Sequence, residues 1–282
     1  MAGRGRTPEF IEALARGLDV LRSFDADHAH MSLTEVATAV GLARPTARRI
    51  LLTLQELGYV RAERAGYTLT PRVLDLGMAY VDALGLWEIA RPHLQALVGV
   101  TGESSSMTQL DGSDIVYVAR VAVPKIITLR VHIGTRFPAL VTSQGKVLLA
   151  ALPPERADEA LRIPSRSGLP PVLPRERDEI HEMLAEVRAR GWALADEELA
   201  PGIRSIAAPV RDGHGRVHAA MNVTVHAAET PVRVLVDDYL PHLLRTAGEI
   251  GADWARWQRR PMTEEPASGG RSPRSRRDQG VA

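Results

Sequence analysis

The segment 32–70, SLTEVATAVGLARPTARRILLTLQELGYVRAERAGYTLT, constrains this 282-residue chain more than any other stretch. Ser32 and Glu35 have the S-x-x-E spacing of a capping box, in which each side chain satisfies a free amide of the first helical turn. Leu33, Val36, Ala37 and Val40 recur at helical spacing and give one apolar stripe. Gly41 follows, where a left-handed C-cap is favoured. A second helix begins beyond Leu42 and Ala43. Pro45 suits its first turn, because an amide there has no helical partner to lose. Ala47, Ile50, Leu51, Leu54 and Leu57 supply its buried face, which leaves Arg44, Thr46, Arg48, Arg49 and Thr53 on the others. Gly58 stops the helix, and 59–61 and 67–70 alternate as strands around a turn at 63–66. A capped helix, a glycine turn, an arginine helix and a two-stranded wing in this order make a winged helix-turn-helix.

Groove geometry explains why the arginines sit where they do. The major groove of DNA admits one helix, and the N-terminal part of that helix reaches the base edges. Arginine matches guanine edges and phosphates because its guanidinium is a planar, permanently charged fork. Ser32 and Thr34 open the first helix, where backbone amides and small hydroxyls can hold a phosphate. The expected DNA contacts are Ser32, Thr34, Arg44, Pro45, Thr46, Arg48 and Arg49, with Arg61 and Arg64 on the wing. A solvated arginine face would explain Arg48 and Arg49 alone, but not the whole ordered set.

The net charge is only +1, whereas a protein that coats DNA without specificity is strongly basic. The positive charge is local to the second helix and wing, which fits a site-specific reader of promoter DNA. With no cysteine there is neither a disulfide framework nor a thiolate metal site. No long uncharged apolar run or signal-like segment opens the chain, and a cytoplasmic location with no membrane contact is expected.

Five segments follow from the patterning: a basic tail at 1–8, the winged helix-turn-helix domain at 9–70, a linker helix at 71–86, a second domain at 87–258, and a basic tail at 259–282 whose Arg, Ser, Gly and Pro content predicts disorder. In the first domain, 10–24 carries Phe10, Leu14, Leu18 and Leu21 at helical spacing. The linker helix has a broad apolar face, natural for a dimer contact. In the second domain, strands are expected at 104–110, 114–121, 126–133, 192–196, 204–211 and 216–225. Helices are expected at 88–98, 146–152, 176–190 and 231–257. Strands in hairpins interleaved with helices predict an α+β fold with a mostly antiparallel sheet.

The chain resembles the IclR family of bacterial transcriptional regulators. The resemblance is carried by Arg16-Gly17-Leu18-Asp19-Val20-Leu21, by Arg44 to Leu54, by Leu57-Gly58-Tyr59-Val60, by Gly134-Thr135-Arg136-Phe137-Pro138-Ala139, by Thr142-Ser143-Gln144-Gly145-Lys146, by Gly191-Trp192-Ala193-Leu194, and by 202–210. The runs Leu84-Gly85-Leu86-Trp87, Thr101-Gly102-Glu103-Ser104-Ser105 and 114–120 look most like the subgroup controlling aromatic-acid catabolism through protocatechuate and β-ketoadipate. The resemblance implies a winged helix-turn-helix followed by a GAF-like effector-binding domain. It also implies a homodimer or dimer of dimers on palindromic promoter DNA, with RNA polymerase as a further partner.

The helix expected after Ser143 and Gln144 is the best place for a small anion, because the amides and dipole of a helix start favour a carboxylate. By similarity, the family's effector contacts fall on Leu129, Phe137, Ser143, Gln144, Ala195, Ile203, Ser205, Asn222 and Thr224. Asn222 and Thr224 share one face of a strand at period two. Some family members have an acid at the position of Ala195; here the acid is Asp196, which in a strand points to the other face. Arg130 alternates with Leu129 and would reach a carboxylate only if a bulge re-aimed it. Enzyme chemistry has little support. Ser143 lacks the G-x-S-x-G elbow because position 141 is valine. His181-Glu182 lacks the second histidine of a zinc helix. His214, His218 and His226 have no spaced carboxylate to complete a metal set. No cofactor and no catalytic residue is expected; the competing reading is a small-molecule-binding module or enzyme with an accessory helical domain.

Overall fold

The computed structural model describes residues 8–25, 27–124, 131–170 and 175–259, with only the backbone of 81–84. These residues form two compact units that divide between Leu84 and Gly85.

In the first unit, helix α1 (Glu12–Arg22), helix α2 (Leu33–Ala39) and helix α3 (Arg44–Glu56) precede strands β1 (Val60–Glu63) and β2 (Gly66–Leu69) and helix α4 (Val73–Leu84). The capping box forms: the Glu35 amide donates to Ser32 Oγ at 3.3 Å, and the Ser32 amide donates to Glu35 Oε2 at 2.7 Å. Val20, Phe24, Met31, Val36, Leu51, Leu54 and Val60 bury together, so the apolar stripes of all three helices meet in one core. The wing strands pair antiparallel with Val60 opposite Leu69. Met31 bridges Tyr67 through two backbone hydrogen bonds of 3.0 and 2.7 Å and ties the chain before α2 to the wing. That bridge requires a glycine at 66, where a Cβ would lie 2.4 Å from the Met31 carbonyl oxygen.

The second unit opens with helix α5 (Leu86–Thr101), then strands β3 (Ser104–Asp111), β4 (Asp114–Val121) and β5 (Arg136–Pro138), and a 3-10 turn (Ala139–Val141). Helices α6 (Ser143–Ala150), α7 (Pro154–Arg162) and α8 (Arg177–Arg190) follow, then strands β6 (Ala193–Asp196), β7 (Ile203–Arg211) and β8 (Val217–His226). A short helix α9 (Val232–Val234) passes through a π turn (Leu235–Tyr239) into helix α10 (Leu240–Gln258). Among the described residues the sheet has the order β5-β4-β3-β8-β7-β6, with every pair antiparallel. This is the α+β arrangement expected. β7 and β8 are buried almost throughout, which a sheet covered on both faces requires. Val147, Leu148, Leu184, Val187 and Ala207 join α6, α8 and β7 in one cluster, and α5 and α10 pack on each other and on the sheet.

Four expectations differ from the structure. Residues 126–130 of the expected third strand lie outside the described residues, and 131–133 are not a strand. The strand that pairs with β4 is β5, set after the turn at Gly134, with Ile115 opposite the buried Phe137. Helix α6 begins at Ser143 rather than at 146, because Thr142 caps it by accepting the Gly145 amide at 3.1 Å. Helix α7 was not anticipated, although Pro154 in its first turn is a start signal. Finally, the terminal helix is interrupted before Pro241, which has no N–H to continue the α ladder and whose ring crowds the preceding turn.

Candidate functional site

On the first unit, helix α3 presents Arg44, Pro45, Arg48 and Arg49 to solvent, while Ala47, Leu51 and Leu54 bury. Thr46 is half-buried and Thr34 exposed. Arg44, Arg48, Arg49 and Arg64 make no side-chain hydrogen bond or ion pair among the described residues, so their guanidinium groups are free for another molecule. Two expected contacts are partly engaged. Ser32 Oγ is occupied by the cap, and Arg61 donates to Glu63 Oε1 at 3.2 Å from Nε and 3.0 Å from Nη2. The Thr53 hydroxyl turns back to the Arg49 carbonyl oxygen at 3.0 Å.

On the second unit, a cleft partly open to solvent lies between the sheet and the start of α6. Phe137, Gln144, Ala195, Ile203, Ser205, Asn222 and Thr224 all line it. Ser143 does not; it stands behind Ser205, the two hydroxyl oxygens 2.7 Å apart. Leu129 and Arg130 lie outside the described residues. Ala195 is buried at the cleft, whereas Asp196 is exposed and accepts from Arg204 Nε at 2.5 Å.

The polar groups of the cleft are already interlocked. Gln144 Nε2 donates to the Ser106 and Ala220 carbonyl oxygens at 3.1 and 3.2 Å, bolting the start of α6 to the sheet. Asn222 Oδ1 accepts the Ser106 amide at 3.0 Å, and its Nδ2 donates to Thr224 Oγ1 at 2.8 Å. Behind them the buried Lys146 donates to the Leu194 carbonyl oxygen at 3.1 Å and pairs with Glu198, which Arg175 also holds at 2.9 Å. Burial lowers the Lys146 ammonium's pKa, and the hydrogen bond from Lys146 to Glu198 opposes that shift. This triad fixes the loop between β6 and β7, which contributes Leu199 to the cleft wall.

Tyr117, Arg120, Val131, Val141, Thr142 and Leu199 complete the lining and were not anticipated. Arg120 matters most. It is half-buried, its Nη1 donates to Ser106 Oγ at 3.2 Å, and its other N–H groups are uncommitted among the described residues. Desolvation lowers its pKa, yet a guanidinium stays charged at neutral pH. Strict alternation along β4 would send Tyr117 and Arg120 to opposite faces, since they are three residues apart. The register shifts between Met107 and Thr108: Arg120 pairs with Ser106, and Tyr117 with Thr108. Ser106 and Thr108 share a face, so this β-bulge turns both side chains into the cleft. A bulge is not visible in alternation, and this one hid the cleft's cation.

The family model for the IclR helix-turn-helix domain matches residues 13–64, and the one described as the C-terminal domain of the bacterial transcriptional regulator IclR matches residues 78–252. This chain belongs to the IclR family of transcriptional regulators. This IclR-family chain is 34% identical over 244 residues to the Pca regulon regulatory protein of Pseudomonas putida, covering 86% of this chain and 84% of that protein. It is 35% identical over 250 residues to the p-hydroxybenzoate hydroxylase transcriptional activator of Acinetobacter baylyi, covering 87% and 92%. The crystal structure of an IclR homologue from Microbacterium hydrocarbonoxydans, complexed with 4-hydroxybenzoate, shares the fold with a TM-score of 0.74 at 23% identity, covering 87% of this chain and all of that one. No described helix is long and apolar enough to cross a membrane. Among the described residues no group of three His, Asp or Glu side chains is arranged to hold a metal ion.

Proposed function

We propose that this IclR-family member controls genes of aromatic-acid catabolism from within the cytoplasm, and that a small carboxylate effector in the second unit sets its affinity for promoter DNA. The observation that carries the reading is Arg120: a half-buried guanidinium with uncommitted N–H groups among the described residues, in a cleft that Phe137, Val141, Leu199 and Ile203 wall on its apolar side. A cleft with both apolar walls and placed polar groups suits a small polar ligand, and a charged N–H fork in low dielectric suits a carboxylate. The first-turn amides of α6 add to the same anion preference. The names of the Pseudomonas and Acinetobacter relatives point to the same class of genes.

On the first unit, Arg44, Thr46, Arg48 and Arg49 enter the major groove, and Ser32, Thr34, Arg61 and Arg64 hold phosphates. The protein acts as a homodimer on palindromic half-sites, built through the apolar side chains that α4 exposes, Leu74, Leu76, Met78 and Tyr80. RNA polymerase is the partner through which the bound dimer acts.

Fluorescence anisotropy on the promoter upstream of its own gene tests both halves. Arg48→Ala or Arg49→Ala should weaken operator binding by about 1–3 kcal/mol where a bidentate base contact is lost. Arg120→Met should leave ligand-free operator binding intact and abolish the response to aromatic acids. Operator binding by both arginine variants at the wild-type level would remove the DNA assignment; a full acid response in Arg120→Met would remove the carboxylate site.

A further inference from the structure

The bulge in β4 brings a second polar group into the cleft, one for which a carboxylate on Arg120 has no use. Tyr117 is 6% exposed, with its ring edge-on to Phe137 at 5.7 Å between centroids. Its hydroxyl has no hydrogen-bond partner among the described residues, although Tyr117 lines the cleft. The other lining hydroxyls are engaged. Thr142 donates to the Ala139 carbonyl oxygen at 3.1 Å and accepts the Gly145 amide at 3.1 Å. Ser205 is held by Ser143 at 2.7 Å, and Thr224 accepts from Asn222 at 2.8 Å. A hydroxyl that faces the cleft with no protein partner among the described residues is open to a ligand group that can pair with it.

We infer that Tyr117 is the specificity-determining residue of the cleft, reading a neutral hydroxyl on the ring of an aromatic monocarboxylate whose carboxylate lies on Arg120. The inference rests on the carboxylate reading above. Arg120 and Tyr117 pair with Ser106 and Thr108, two residues apart on one face of β3, so both reach the same cleft. Burial pushes the Tyr117 hydroxyl up to about 12, so near neutral pH it stays protonated and both donates and accepts. A ring hydroxyl has the same dual character. A second carboxylate would instead need a second cation, and Arg120 is the one cationic residue lining the cleft among the described residues. The cleft therefore selects hydroxylated aromatic monoacids over both unsubstituted aromatic acids and aliphatic dicarboxylates.

Isothermal titration calorimetry on the full-length protein tests this, with benzoate, 4-fluorobenzoate, 3-hydroxybenzoate, 4-hydroxybenzoate and adipate as ligands. The wild type should bind at least one hydroxybenzoate about 3–10-fold tighter than benzoate, as one hydrogen bond allows. Fluorine, close in size to a hydroxyl but without its donor, should lose that gain in the wild type itself, and adipate should bind more weakly than benzoate. Tyr117→Phe should bring the hydroxybenzoate-to-benzoate ratio to about one. A ratio unchanged in Tyr117→Phe, or a wild type indifferent to the hydroxyl, overturns the role of Tyr117 and leaves the carboxylate reading standing. A wild type that binds none of the acids overturns both.

Discussion

Asp212 shows how one carboxylate can close a hairpin. It sits in the turn between β7 and β8 and accepts the amides of His214 and Arg216 at 2.8 and 2.9 Å. Arg216 Nε and His218 Nε2 reach its other oxygen at 3.1 and 2.9 Å, and the His218 ring lies edge-on to Trp254 at 5.1 Å. Burial alone would raise its pKa, but these four hydrogen bonds outweigh burial and hold the carboxyl well below the usual carboxylate range. A carboxyl depressed in the folded state adds stability above its unfolded value of about 3.9, and that stability is lost as pH falls through the depressed value. Asp212→Asn should therefore melt below the wild type at pH 7, and the gap should narrow progressively below about pH 4. A gap constant from pH 7 to pH 3 in thermal scans would remove this account. A break between strands was legible, since the expected strands end at 211 and resume at 216. The buried carboxylate was not, because a turn aspartate looks the same in sequence whether it faces water or a ring of donors.

At the scale of elements, the cleft depends on how closely α6 approaches its neighbours. A Cβ at Gly145 would lie 2.1 Å from the Ala139 carbonyl oxygen, backbone that cannot swing away. Gly145→Ala should push the start of α6 off the 3-10 turn and strain the bolt that Gln144 makes to Ser106 and Ala220. An overpacked contact of this kind costs about 1–3 kcal/mol. The expected result is a lower unfolding midpoint for the second unit together with weaker acid binding; an unchanged midpoint would show that the helix can shift freely. Most elements were legible from their own residues, because capping, apolar period and turn glycines are local signals. The capping box at Ser32 formed, and the strands expected at 104–110 and 114–121 pair as a hairpin. What escaped depended on pairing between strands. The β4 bulge moves Tyr117 and Arg120 onto one face only because β3 opposes them, and β5 becomes a strand because Ile115 draws Phe137 into the core. The cleft residues named in advance came from the family resemblance; Tyr117 and Arg120, beside the bulge, were missed, as were Val131, Val141, Thr142 and Leu199.

For the whole molecule, the question is how an acid in one unit alters DNA binding in the other. The effector can do so only through different affinities for two arrangements of the protein, and a coupling of about 1–3 kcal/mol is typical. Linkage then makes the effect reciprocal: the factor by which the acid changes operator affinity must equal the factor by which operator changes acid affinity. In the proposed dimer, α4 carries both the apolar contact and the link toward the second unit, so the coupling should depend on that contact. Glutamates in place of Leu76 and Tyr80, which are one helical turn apart and largely exposed, would set like charges against each other at a symmetric interface. Leu76→Glu with Tyr80→Glu should sediment as a monomer, bind acid in calorimetry as the wild type does, bind a full palindrome no tighter than a single half-site, and show no acid effect on that binding. A variant that sediments as a monomer yet keeps the full reciprocal factor would place the switch within a single chain and remove the dimer from the mechanism.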